Sequence, residues 1–77
     1  MTKKFMEDYE YAFNMEGTYQ YSINDWVYTQ AEYLPLLNKA PESIQKEYQR
    51  AIDGKHFYHA TRILCAIHEA LRLNHML

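Results

Sequence analysis

The sequence is poor in the residues that break or crosslink a chain. Its 77 residues include two glycines, two prolines and one cysteine. Few breakers leave little room for elaborate loops, which argues against enzymes built on glycine-rich phosphate loops or nucleophile elbows. Because Cys65 has no cysteine partner in the chain, no internal disulfide can form. This is typical of a protein that works in a reducing, cytoplasmic compartment.

Long apolar runs are also lacking. The longest, Ile63 to Ile67, is far shorter than the roughly 20 residues that cross a bilayer, so no membrane partner is expected. Three acidic residues within six positions of Lys4 argue against a signal peptide: Glu7, Asp8 and Glu10. Hydrophobic residues make up 48% and charged residues 23% of the chain, as in a soluble globular protein. The length predicts a single helical domain, 1–77.

The second half of the chain carries the clearest periodicity. Apolar residues recur at helical spacing over 56–76 and predict a long helix at the centre of the fold. A shorter helix is predicted over 41–53, with Pro41 as its first residue and Gly54 as its left-handed terminator. The two elements predict a C-terminal helical hairpin (41–53, 56–76) within a mostly α bundle of three or four helices.

A further helix is predicted to begin near Asn24 or Asp25, since both are good N-caps. Ser22 together with Asp25 also resembles a capping box. One apolar face of this helix is predicted to consist of Trp26, Val27, Tyr33, Leu34 and Leu37. Pro35 lacks a backbone N–H and disfavours helical backbone in the residue before it, so a kink or a stop is expected there.

Two interpretations remain open for the N-terminal segment. Apolar residues alternate over 9–15 and 19–23, which fits a β-hairpin around Gly17. The spacing of Phe5, Tyr9 and Phe13 instead fits a helix over 3–16, a segment with many helix formers and no β-branched residue. Because an isolated two-stranded hairpin is only marginally stable, we favour the helix, followed by extended chain over 18–23.

Catalytic and metal-binding patterns are weak. Cys65 and His68 lie three residues apart and would share one helix face, so a metal-dependent switch is a third hypothesis for function. No second pair of residues has ligand spacing, and no metal or other cofactor is expected. Cys65 is interpreted as a small apolar helix residue, and the N-terminal carboxylates as a solvated face. A chain this short leaves little room for a catalytic cleft, and the prediction is that the protein is not an enzyme.

The charge is unevenly distributed. Residues 1–38 hold 2 Lys/Arg and 6 Asp/Glu, whereas residues 39–77 hold 6 Lys/Arg and 4 Asp/Glu. An alternative function is therefore a small nucleic-acid-associated regulator that uses the basic C-terminal helical hairpin. The cations form no stripe and alternate with carboxylates, which makes a nucleic-acid partner the less favoured prediction. The candidates are Lys46, Arg50, Lys55, His56, His59, Arg62 and Arg72.

Aromatic residues are abundant: 8 Tyr, 3 Phe and 1 Trp. A small core cannot bury all of them, and tyrosine is common at interface hot spots. We therefore predict a protein-binding module that inhibits or modulates a larger protein through a tyrosine-rich, partly acidic surface. Short chains without catalytic motifs are often phage-borne modulators directed at a host or its defences. The predicted partner-binding residues are Glu7, Asp8, Tyr9, Glu10, Tyr11, Tyr28, Leu36, Tyr58, Leu73 and Met76.

The last helix is predicted to have a second apolar side, formed by Tyr58, Leu73 and Met76, with Cys65 between them. If no other segment covers this side, two copies of the chain are expected to associate through it as a homodimer.

Overall fold

A computed structural model describes residues 3–77 and contains four α-helices with short connections. They are α1 (Lys3–Glu16), α2 (Ile23–Tyr33), α3 (Glu42–Asp53) and α4 (Phe57–Leu73), with a 3₁₀ helix (Leu34–Lys39) between α2 and α3. These residues include no strand. The predicted mostly α bundle with its C-terminal helical hairpin is confirmed. Two predicted bounds differ: Pro41 is the N-cap of α3 and not its first residue, and α4 ends at Leu73 and not at 76. Within the same residues, no helix is both long and apolar enough to cross a bilayer.

The last helix, α4, is the centre of the bundle. The other three helices and the 3₁₀ helix all pack against it. Its buried residues lie on several sides of the helix, and three of them are alanines, whose small side chains let neighbouring helices approach closely. The buried residues are Ala60, Thr61, Ile63, Leu64, Ala66, Ile67, Ala70 and Leu71. This position explains why α4 carries apolar residues on more than one side.

The N-terminal segment is helical, so the alternative β-hairpin (9–15, 19–23) is wrong. Helix α1 buries Phe5, Tyr9 and Ala12, which are spaced for one helical face, against the rest of the core. A strand would have divided these residues between two faces, since side chains alternate along a strand. The favoured helix over 3–16 is confirmed, and the chain then runs without regular structure to Ser22.

Helix α2 begins one residue before the predicted start. Ser22 is its N-cap and accepts a hydrogen bond from the backbone N–H of Asp25, while the Asp25 carboxylate accepts one from the backbone N–H of Ser22. The predicted capping box is therefore present. At the other end, α2 gives way to the 3₁₀ helix at Leu34, directly before Pro35, as the missing proline N–H requires.

The turn between α3 and α4 differs from the prediction in its left-handed residue. Gly54 has a φ of −87°, and Lys55 takes the positive φ of 58°. His56 N–H donates to Ala51 and Lys55 N–H to Ile52, the bond pair of a Schellman motif. A Cβ on Gly54 would lie 2.6 Å from the His56 ring, so glycine leaves room for that ring.

Arg62 of α4 holds the end of α1. Its Nε donates to the Phe13 carbonyl at 2.6 Å, and its guanidinium lies 3.8 Å from the centre of the Phe13 ring. A Cβ on Gly17 would come within 2.6 Å of the same guanidinium, so a glycine at this position leaves space for it. These contacts of Arg62 therefore hold the C-terminal end of α1, from which the next segment of the chain begins, against α4.

Candidate functional site

The structure separates the predicted binding residues of α1. Glu7, Glu10 and Tyr11 are exposed, with 65% of Tyr11 accessible to solvent. Asp8 accepts hydrogen bonds from Lys4 at 2.7 Å and from Asn74 at 2.9 Å, and the Lys4 bond is the main cause of its lowered pKa.

Tyr9 is a correction to the predicted surface. It is only 5% exposed and belongs to the core, where it stacks on Phe13 with ring centres 5.8 Å apart. Burial in the core raises its pKa above the ordinary value, since the phenolate form would lose its hydration. Its i,i+4 spacing from Phe5 places it on the inward face of α1. In this fold it is not available to a partner.

The partner-binding residues that were predicted on the last helix do not form one patch. Tyr58 and Leu73 are 15 positions apart, which corresponds to about 22 Å along a helix. The Tyr58 hydroxyl donates to the backbone carbonyl of Tyr19 at 2.6 Å, so the segment after α1 covers this end of the helix. Leu73 is half-buried, and Met76 is exposed at the opposite end. The second apolar side is therefore partly covered by the chain itself.

The two predicted partner-binding residues on α2 and the 3₁₀ helix differ in how far solvent reaches them. Tyr28 is 63% exposed, whereas Leu36 is half-buried and packs against the core.

An aromatic cleft lies between the beginnings of α2 and α4. We use this name for a cavity of about 120 Å³ lined by Tyr21, Ser22, Ile23, Trp26, Phe57, Tyr58 and Thr61. Trp26 stacks on Phe57 with ring centres 5.4 Å apart, and Tyr21 packs against Tyr58 at 5.2 Å. The tyrosine phenols are the only titratable groups in its walls. The volume approaches that of a 150 Å³ cavity that holds benzene, so it fits one leucine- or phenyl-sized side chain.

An apolar stripe leads from this cleft along α2. It consists of Ile23, Val27 and Ala31 of α2, which fall within an arc of about 80°, and of Leu34 at the beginning of the 3₁₀ helix. Ile23 is 62% and Val27 59% exposed, although both are large and apolar. The far end of the stripe borders a second, more open cavity of about 460 Å³. Its lining consists of Gln30, Ala31, Leu34, Pro35, Leu37 and Asn38.

The metal-dependent switch would use Cys65 and His68, but the two residues pack against other side chains. Cys65 is half-buried near Tyr21 and Thr29, and burial is the main cause of the raised pKa of its thiol. The His68 ring stacks on Tyr33 with ring centres 4.4 Å apart. In the part of the chain that the structure describes, no three His, Cys, Asp or Glu residues lie close enough together to hold a metal ion.

Several cations considered for nucleic-acid binding contact groups of their own chain. A side chain that is paired within its own chain is less available to bind a phosphate. The pairs are Lys46 with Glu42, His59 with Glu47, Arg72 with Glu69, and Arg62 with the Phe13 carbonyl.

Three exposed residues of this surface were not among the predicted binding residues: Ile23, Val27 and Phe57. Ile23 was assigned to extended chain, and Val27 to the same face as Trp26. The signal that could have found Ile23 and Val27 is their i,i+4 spacing together with the Ser22–Asp25 capping box, which makes Ser22 the N-cap and places Ile23 inside the helix. In comparisons with family models, curated proteins and solved structures, no match to this chain is found.

Proposed function

We propose that this protein is a non-enzymatic binding module that modulates a larger protein through the aromatic cleft and the adjoining apolar stripe. The observation that carries the proposal is the exposure of Ile23 and Val27 beside the cleft. Full burial of a large apolar side chain is worth about 1.5–3 kcal/mol. Because 62% of Ile23 and 59% of Val27 are exposed, a partner that covers them gains roughly 1–2 kcal/mol from each, before the cost of association.

The composition of the site supports binding over catalysis. The cleft is smaller than the roughly 300 Å³ at which ordinary small-molecule pockets begin. Its walls supply aromatic rings and aliphatic groups, and its titratable phenols are held in packing and hydrogen bonds. Catalysis of proton transfer needs an acid or base whose pKa lies near the working pH. Burial raises the pKa of Tyr21 away from that range.

A capture experiment tests this function. The wild-type chain and the double variant Ile23→Gln/Val27→Gln are immobilised, exposed to lysate of the source cells, and the bound proteins are quantified by mass spectrometry. The matched control is Met15→Gln/Tyr19→Gln, which removes two exposed apolar residues four positions apart that lie outside the cleft, the stripe and the predicted binding residues. We expect a protein that the wild type and the control retain and the α2 variant loses. Equal capture by all three chains would refute the proposed site.

A separate experiment tests whether the protein binds nucleic acid. Mobility shifts with random duplex and single-stranded oligonucleotides at about 50 mM salt, where phosphate contacts are strong, are expected to show no complex. Tight, salt-sensitive binding would instead favour a regulator that uses the C-terminal hairpin.

A further inference from the structure

A short connection, residues 17–21, joins α1 to α2 and passes over the beginning of α4. We call this connection the strap. Both of its ends are fixed, because Arg62 holds the end of α1 through the Phe13 carbonyl and a capping box of Ser22 and Asp25 begins α2. A change in the position of the strap therefore does not require either helix to move.

Side chains, and not regular structure, attach the strap to the rest of the fold. The backbone N–H groups of its first three residues donate to carbonyls at the end of α1, so these bonds do not reach α4. The Tyr58 hydroxyl of α4 donates to the Tyr19 carbonyl at 2.6 Å, and the rings of Tyr58 and Tyr21 lie 5.2 Å apart. Segments with so few attachments open locally while the packed core stays intact.

The strap covers Cys65, the only cysteine of the chain. Tyr58 and Cys65 are seven positions apart, which places them within about 20° of each other on α4 and about 10 Å apart along it. Tyr21 reaches both, since its ring packs against Tyr58 and Cys65 lies near it. Tyr21 is also a wall of the aromatic cleft. Movement of the strap away from α4 would therefore uncover Cys65 and open one wall of the cleft.

We propose that the strap is a mobile wall of the aromatic cleft, which opens from α4 while the helices stay folded, and that the Tyr58 hydroxyl holds it closed. The inference goes beyond the proposed function, because opening changes the shape of the cleft whether or not a partner is bound. With the strap closed, the cleft has about 120 Å³ and admits one side chain. With the strap open, Tyr21 leaves the wall and the cleft extends toward Cys65.

The rate at which excess iodoacetamide modifies Cys65 of the full chain, followed by mass spectrometry, measures this opening. Tyr58→Phe keeps the ring and removes the hydroxyl. The loss of one ordinary hydrogen bond changes an equilibrium by roughly two- to twelvefold, so we expect the labelling rate to rise by about that factor. The matched control is Tyr11→Phe, which removes a hydroxyl from an exposed tyrosine of α1 and should leave the rate unchanged.

A second variant tests whether the strap is what covers the thiol. Tyr21→Ala removes the side chain beside Cys65 and should raise the labelling rate by itself. Adding Tyr58→Phe to Tyr21→Ala should then have little further effect, because the side chain that had to move is gone. Circular dichroism checks that the helices of each variant are intact. The rates should not change in low urea, since a local opening exposes little surface.

Three results would overturn the inference. Equal labelling rates for the wild type and Tyr58→Phe would show that the hydroxyl does not hold the strap. An unchanged rate in Tyr21→Ala would show that the strap does not cover Cys65. A rate that rises steeply with urea, in parallel with the loss of helix, would show that the thiol is reached by unfolding of the whole chain. Because each measurement uses the isolated protein, its result is independent of the lysate capture.

Discussion

Replacing Arg62 by methionine should destabilise the fold far more than its partly exposed position suggests. The substitution removes the 2.6 Å hydrogen bond from Nε to the Phe13 carbonyl and the guanidinium above the Phe13 ring. A hydrogen bond from a charged donor is worth about 1.5–3 kcal/mol, and the contact with the ring about 0.5–1 kcal/mol. Methionine keeps part of the packing on Phe13. The expected loss in the free energy of unfolding is therefore about 2–3 kcal/mol.

A loss of this size is large for a chain of this length. At about 0.05–0.15 kcal/mol per residue, the whole chain is stable by roughly 4–12 kcal/mol. Each kcal/mol corresponds to about 4–8 °C in melting temperature for a small domain, so Arg62→Met should lower the melting temperature by roughly 8–24 °C. Thermal and urea unfolding, followed by circular dichroism at 222 nm as the standard helix signal, measure both quantities.

The matched control is Arg72→Met in the same helix. Arg72 pairs with Glu69 at i,i+3 on the surface, and such exposed pairs are worth about 0–1 kcal/mol. The reasoning predicts a clear difference between the two arginines. Equal losses for both variants, or a loss below about 0.5 kcal/mol for Arg62→Met, would show that Arg62 does not fix the end of α1.

Two further predictions concern local stability and pH. Ser22→Ala removes the N-cap of α2 and should cost about 1 kcal/mol in urea unfolding; a cost near zero would contradict the capping box. Burial raises the pKa of Tyr9 and Tyr48, so the unfolded chain loses these protons at lower pH than the folded chain does. The stabilisation is therefore complete below pH 10 and should decline as the pH rises above about 10. The part of the phenolate absorbance that Tyr9→Phe/Tyr48→Phe removes should then appear together with the loss of helix, and its appearance in a fully helical chain would refute this coupling.

Local signals in the sequence determined much of the secondary structure. The Ser22–Asp25 pair predicted the capping box, Pro35 predicted the end of α2, and the periodicity over 56–76 predicted the central helix. These features depend on residues within a few positions of one another, because helix spacing, capping and proline geometry are local properties. For the same reason, the helix formers of 3–16 favoured α1 over a hairpin.

Only the tertiary structure decided which apolar residues face the core and which face solvent. Tyr9 was expected at a partner surface but is buried, whereas Val27 was expected beside Trp26 but is exposed. The orientation of each helix depends on how the other helices pack around α4, which involves residues far apart in the chain. The aromatic cleft joins residues 21–26 to residues 57–61 across about 30 positions of sequence, so no local pattern could have placed it.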